Sequence, residues 1–235
     1  MRRLAGCPPR SLTPRCAYES AWLPQDPFHL NSLIHNEISY DKVAFMSADQ
    51  LQLDTPRLLL RPPRIEDFGP WAALLQDPEA SHFIGGPQPR ALAWRGLMVM
   101  AGAWHLQGFA MFSVIEKATG RWIGRLGPWY PDGWPGTEVG WGLVRDCWGR
   151  GYATEGASAA MEWAFLTLGW AEVIHSISAD NHASQAVARR LGSHNRGPGR
   201  LPPPFEDTPV EIWSQTRAEW LARTVAARAL PRSTS

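Results

Sequence analysis

Glu138-Val-Gly-Trp-Gly-Leu-Val-Arg-Asp-Cys-Trp-Gly-Arg-Gly-Tyr-Ala-Thr-Glu155 reads as a strand running into a glycine-bearing turn, with a long helix directly after it. Behind the turn, Ala157, Ala160, Met161, Ala164, Phe165 and Leu168 recur at helical spacing, one apolar stripe that Gly169 ends. The first backbone N–H groups of such a helix have no intrahelical partner and carry the positive end of its dipole. That arrangement binds phosphate. Gly149 and Gly151 bring no Cβ, so a ligand oxygen can come close to the chain. Three common phosphate loops do not fit. No Gly-Lys-Ser/Thr is present, the third glycine of a dinucleotide fingerprint is missing, and protein-kinase signatures are absent.

Outward from this stretch the chain alternates in a definite order. Arg57 to Arg61 reads as a strand, Ile65 to Gln76 and Arg90 to His105 as helices. Gly108 to Glu116 and Arg121 to Leu126 form a hairpin turned at Gly120, and a turn at Gly133 to Gly136 leads to a strand over Thr137 to Val144. Beyond the long helix, Glu172 to Ala179 is strand-like and Ser184 to Leu191 a short helix, with Ser184 as its N-cap and Gly192 as its stop. Residues 197 to 209 read as a Pro/Gly-rich loop and Val210 to Ser214 as a strand, after which Thr216-x-x-Glu219 is a capping box opening a last helix through Ala229. The pattern predicts an α+β fold: a mixed, mostly antiparallel central sheet with helices on both faces.

Composition narrows the function classes. With 235 residues, 44% hydrophobic and 19% charged, the chain suits one domain with room left over and excludes wholesale disorder. Basic and acidic residues nearly cancel, 23 against 22, which argues against a protein that coats nucleic acid or an anionic membrane. The longest apolar stretch, Leu97 to Trp104, is far short of the roughly 20 residues that span a bilayer. Three cysteines, Cys7, Cys16 and Cys147, make neither a metal cluster nor a complete disulfide framework, so a soluble cytoplasmic protein is expected. Residues 1–50, with Pro8, Pro9, Pro14, Pro24 and Pro27, read as a disordered extension or an upstream start, with Met46 as an alternative first residue. Residues 54–222 are the expected domain, and 223–235 the end of the last helix and a tail.

Five blocks in one order and spacing carry a resemblance. They are Arg57-Leu-Leu-Leu-Arg-Pro62, Gly120-Arg-Trp-Ile-Gly124, Glu138-Val-Gly-Trp141, Trp148-Gly-Arg-Gly-Tyr-Ala-Thr-Glu155 and Asn181-His-Ala-Ser-Gln-Ala-Val-Ala-Arg-Arg-Leu-Gly192. Together they resemble the GNAT superfamily of acetyl-CoA-dependent N-acetyltransferases, in particular the branch of the ribosomal-protein N-terminal acetyltransferases RimJ and RimL. The resemblance implies that the amides of Arg150, Gly151, Tyr152, Ala153 and Thr154 hold the pyrophosphate of coenzyme A, with Trp148 replacing the family's Gln/Arg. It implies that Leu143 and Val144 offer backbone groups to the pantetheine arm on a splayed strand, and that Asn181 hydrogen-bonds the coenzyme or a nearby water. Acetyl-CoA is then the co-substrate and an amine the acceptor, a protein N-terminus or a small molecule. No metal, nucleic acid or membrane partner is expected, and the chain is a monomer or a homodimer.

Direct transfer needs a neutral amine, attack on a thioester carbonyl and a proton for the departing thiolate. Glu138, at the start of the splayed strand, is the candidate base. Ser184 is the candidate acid, because the tyrosine that some relatives carry in the helix after Asn181 is Ala188 here. Glu155 reads as a complement to the helix dipole, Arg189 and Arg190 as a solvated face able to meet the 3′-phosphate, His175 as a packed residue, and Cys147 as a thiol without an evident His partner. The family's Gly-Phe after this helix is Gly192-Ser193. The missing tyrosine keeps open a catalytically inactive coenzyme A-binding module, and an acyltransferase using another donor such as succinyl-CoA is a further alternative.

Overall fold

The computed structural model describes residues 51–229, with side chains through residue 225. The expectations for residues 1–50, Met46 among them, and for residues 230–235 lie outside the described residues. Eight strands form one sheet: β1 (Leu53–Asp54), β2 (Leu58–Arg61), β3 (Phe112–Glu116), β4 (Arg121–Trp129), β5 (Glu138–Leu143), β6 (Glu172–Ile177), β7 (His194–Gly199) and β8 (Val210–Thr216). Their order across the sheet is β1-β2-β3-β4-β5-β6-β8-β7. Five helices accompany it: α1 (Phe68–Gln76), α2 (Arg90–Gln107), α3 (Tyr152–Leu166), α4 (His182–Leu191) and α5 (Arg217–Ala229). This is the mixed, mostly antiparallel α+β architecture that the sequence pattern predicts.

The helices cover opposite faces, and β4 shows it. Leu126 packs beneath Gly156 of α3, where a Cβ would collide with its Cδ2 at 2.5 Å. The neighbouring Arg125 points the other way, its guanidinium 5.1 Å from the ring centroid of Trp71 on α1. Successive strand residues alternate faces, so α1 and α3 lie on opposite sides of the sheet. Trp71, Trp122 and Ile123 are fully or nearly fully buried on or beside β4, as are Phe112, Met161 and Phe165 around α3.

One pairing sets the site. β5 and β6 run parallel, joined by α3 as the crossover that a parallel pair requires, and they touch at a single register pair, Glu138↔Ile174. On its other edge β5 is fully paired to β4, from Trp129↔Glu138 to Gly124↔Leu143. Beyond Glu138, β5 and β6 therefore part and leave a gap in the sheet.

The structure corrects three local expectations. Asn181, not Ser184, caps α4: its Oδ1 accepts the Ser184 N–H at 3.0 Å, and the helix begins two residues earlier. Part of the expected loop at 197–209 belongs to β7, an edge strand with no apolar alternation, formed because β8 offers it a ladder. The first turn of the expected helix at Ile65 is a separate 3-10 turn, Ile65–Asp67, with α1 starting at Phe68. The capping box on α5 is present: the Glu219 carboxylate accepts the Thr216 N–H at 2.8 Å, and Thr216 Oγ1 accepts the Glu219 N–H at 3.2 Å.

Candidate active site

α3 begins without a side-chain cap. Gly151 is its N-cap at φ 81°, following Gly149 at φ 72°, and both lie in the left-handed region that a side chain rarely adopts. The Glu155 N–H already reaches Gly151 O at 3.0 Å, so the orphan donors of the first turn are those of Tyr152, Ala153 and Thr154. No Cβ-blocking atom lies within 4 Å of Gly149, so the turn is open on that side.

Glu155 does more than complement the helix dipole. Its Oε1 accepts from Thr55 Oγ1 at 2.7 Å and from the Arg57 N–H at 2.8 Å, and its Oε2 from Arg57 Nε at 2.6 Å. Arg57 also donates to Arg150 O at 2.9 Å and lies 4.5 Å over the Tyr152 ring. Burial works to raise the Glu155 carboxyl, but the bonds from Thr55 and Arg57 outweigh it and hold the group below its ordinary range. The turn between β1 and β2 is thus bolted to the glycine turn. The Tyr152 hydroxyl donates to Glu116 at 2.6 Å.

In the gap, β5 turns some backbone groups away from β4. The Val144 N–H donates to Ile123 O at 3.0 Å and its carbonyl accepts from Cys147, so both are spent within the protein. Strand alternation then aims the backbone of Val139, Trp141 and Leu143 toward β6. Val139 O receives His175 Nδ1 at 2.7 Å, and Leu143 O receives the Trp148 indole at 2.8 Å. The Trp141 peptide groups and the Leu143 N–H are left facing the opening.

Side chains sort to the two faces of this gap. On the α1/α2 face the Glu138 carboxylate accepts from Trp134 Nε1 at 2.5 Å and from Ser176 Oγ at 2.9 Å, and lies over Gly140, whose Cβ position is 3.3 Å from its Oε1. Only 7% of Glu138 is exposed. Burial pushes its carboxyl up to about 7 against the hydrogen bonds from Trp134 and Ser176, which work downward. On the opposite face the Trp141 ring packs at a tilt against His175, centroids 4.9 Å apart, and donates its indole N–H to Ser184 Oγ at 3.1 Å. His175 bridges Val139 O and Ser193 Oγ; since a carbonyl only accepts, Nδ1 carries the proton. Burial drives this imidazole down to about 4, so it is neutral and structural.

The predicted residues therefore divide into three places. Arg150, Gly151, Tyr152, Ala153 and Thr154 make the helix start, Leu143 and Val144 the end of the gap, and Glu138 and Ser184 its two opposite faces, with Asn181 holding the Ser184 amide. Ala188 is wholly buried, and Cys147 is buried with its thiol pushed up by desolvation. Trp134 and Ser176, which grip Glu138, were not singled out from sequence; the only available signal was a Trp inside a Gly-rich turn four residues before a carboxylate. Among the described residues no group of three His, Cys, Asp or Glu side chains is placed to hold a metal ion, and no helix is long and apolar enough to cross a membrane.

An uncapped helix start beyond two positive-φ glycines, beside a parted parallel pair, agrees with what comparison finds. The acetyltransferase (GNAT) domain matches residues 57–194. The chain belongs to the GNAT acetyltransferase family. It is 28% identical to an uncharacterized N-acetyltransferase, p20, of Bacillus licheniformis over 62% of this chain and 83% of that one. It is 39% identical to the FsC-acetyl coenzyme A-N(2)-transacetylase of Aspergillus fumigatus over 36% of this chain and 38% of that one. Among solved structures, an acetyltransferase from Agrobacterium tumefaciens strain C58 superposes with a TM-score of 0.63 at 31% identity, covering 71% of this chain and 95% of that one. The GNAT protein described here is an acyl-CoA-dependent acyltransferase.

Proposed function

We propose that this GNAT protein transfers an acetyl group from acetyl-CoA directly to a primary amine, at the gap between β5 and β6. The observation that carries the reading is the alignment of two features: three orphan N–H donors at Tyr152–Thr154, and a parted strand edge leading from them to a buried carboxylate. The donors suit a pyrophosphate, and the strand edge suits a peptide-like pantetheine arm. Ligands entering on the α3/α4 side would bring the thioester into the opening, and the amine would come from the Glu138 side.

Glu138 suits the first proton transfer. A carboxylate raised to about 7 is near the operating pH, where a general base is most effective. It would take a proton from the ammonium, or from the amine as it attacks. The nitrogen then bonds to the carbonyl carbon, a backbone N–H of the parted strand steadies the oxyanion, and the C–S bond breaks. The thiolate takes a proton from Ser184, whose Oγ accepts from Trp141 and so keeps its own hydrogen for donation, or from water, and the donor is made good by the proton that the nitrogen sheds, directly or through Glu138 and solvent. The N-acetylated amine and free coenzyme A result. The acceptor is a protein N-terminus or a small-molecule amine, and the cytoplasm the place of action.

Free-thiol release from acetyl-CoA, followed over a panel of amines and N-terminal peptides with succinyl-CoA as a competing donor, tests this. Turnover is expected with acetyl-CoA, and Glu138→Gln is expected to lower it at least 100-fold with coenzyme A affinity nearly intact. Absence of binding heat with coenzyme A or its acyl esters would sink the reading.

A further inference from the structure

The face of the sheet that carries Glu138 also carries a cation that no described residue neutralises. Arg125 lies on β4 directly opposite Gly142 of β5, with Ser113 of β3 as its partner on the other side. Among the described residues its guanidinium makes no hydrogen bond and no ion pair; its contact is the face of Trp71 at 5.1 Å. The acid bonded to Ser113 is spoken for. Asp67 accepts both Arg61 nitrogens at 2.7 and 2.8 Å, the Arg64 N–H at 2.8 Å and the Ser113 hydroxyl at 2.7 Å. Ser113 in turn receives the Trp122 indole, so it too is occupied. The guanidinium is also not sealed away: the buried polar atoms without a partner are Trp71 Nε1, Trp213 Nε1 and Gln215 Oε1, and no atom of Arg125 is among them.

Between Arg125 and Glu138 the strands themselves carry few side chains. Gly127 faces Gly140 and Arg125 faces Gly142 in the β4–β5 ladder, so three of the four positions separating the two charges have no side chain. Ile84 closes over Gly142 and Met111 over Gly140, the first at 3.3 Å from a Cβ position and the second at 2.8 Å. These two apolar side chains cover a glycine-floored stretch of the sheet that has a carboxylate at one end and a half-buried guanidinium at the other. Their backbones stand about 13 Å apart along the strands, and the Glu138 carboxylate reaches over Gly140 into that span. Desolvation lowers the Arg125 guanidinium to about 10, still charged at neutral pH. An unpaired cation in such a place is costly unless a ligand completes it.

We propose that Arg125 is the anion receptor of the acceptor cleft, and that the amine acetylated by this protein carries its own carboxylate. A planar guanidinium fits a carboxylate bidentately. One positive charge matches one carboxylate, whereas a phosphate dianion would stay half uncompensated. The inference rests on the acetyl-transfer reading for the identity of the ammonium end.

The experiment uses the full chain, acetyl-CoA and three matched pairs: β-alanine, 4-aminobutyrate and 6-aminohexanoate, each against its own primary amide. In at least one pair the free acid is expected to exceed the amide at least 10-fold in kcat/KM, through KM. Arg125→Gln is expected to bring that ratio close to one, and Arg125→Lys to keep part of it, with calorimetric coenzyme A affinity reporting that each variant is folded. A wild-type ratio near one in every pair, or a ratio that survives Arg125→Gln, overturns the proposal. If Arg125→Gln does not fold, an undiminished ratio in Arg125→Lys does so instead. Should no amine release thiol, the transfer reading fails separately. Saturation-transfer NMR with coenzyme A present then decides Arg125: binding of the acids over the amides supports it, and equal binding refutes it.

Discussion

Glu138 and His175 are buried on either side of one gap, and burial moves them in opposite directions: the carboxyl up to about 7, the imidazole down to about 4. Each has a consequence for stability. Folding favours the protonated carboxyl, so the contribution of Glu138 is complete below its unfolded value near 4.5 and is lost as pH rises through 7. Folding favours neutral His175, whose contribution is complete above 6.5 and is lost as pH falls toward 4. The two slopes oppose each other over most of the range, so they are seen best as a difference. The melting temperature of Glu138→Gln minus that of the wild type is expected to grow from pH 4.5 to 7 and then level off. A difference independent of pH would show that Glu138 is not titrating in this window. Wild-type turnover should rise through pH 7 in the same experiment, as the base loses its proton. Glu138 could be singled out as a candidate in sequence because it sits in a motif; its grip by Trp134 and Ser176 was not legible, because one arises from a turn and the other from a strand that begins 34 residues later. Arg125 was invisible for a different reason: a cation in an amphipathic strand reads as a solvated residue until its neighbours are found to be committed elsewhere.

At the level of elements, α3 works because something holds its start in place. Glu155 joins the β1–β2 turn to the glycine turn through three hydrogen bonds, and Arg57 completes the clamp through Arg150 O. Removing the carboxylate frees Arg57 and leaves the orphan amides to wander. Glu155→Ala is expected to weaken coenzyme A binding about 10-fold and to lower thermal stability, since it removes several charge-assisted hydrogen bonds at once. Glu155→Gln should retain part of both, because the Thr55 hydroxyl and the Arg57 N–H keep an acceptor. Calorimetry beside thermal melts checks this; a stability loss with unchanged affinity would make the clamp purely structural. A long periodic element such as α3 was readable from its apolar spacing and glycine stop. β7 was not, because His194-Asn-Arg-Gly-Pro-Gly199 has neither β-branched residues nor alternation, and its strand form comes from β8. The α4 start moved from Ser184 to Asn181 because both residues are good caps, and only the bond from the Ser184 amide to Asn181 Oδ1 decides between them.

For the molecule as a whole, the parted β5–β6 pair is a fault that a stable sheet would close unless a ligand completes it. β5 is bonded to β4 along its length and to β6 at one position, so the peptide groups of Trp141 and the Leu143 N–H have no strand partner. The glycine turn adds the free amides of Tyr152, Ala153 and Thr154 a short distance along the same chain. If one extended ligand spans both, its binding should protect the two sets together. Amide hydrogen exchange on the full chain, with and without coenzyme A, is expected to show coordinated slowing at residues 141–143 and 152–154. Amides already paired, such as Val144 to Ile123 O, should change little. Binding also stabilises the folded state by mass action, by about 2.7 kcal/mol at a hundredfold excess over Kd, so a rise in melting temperature accompanies the protection. Protection confined to 152–154 would mean that the phosphates are held while the pantetheine arm lies elsewhere. The acetyl group would then be delivered away from Glu138, and the base would have to be sought on another strand.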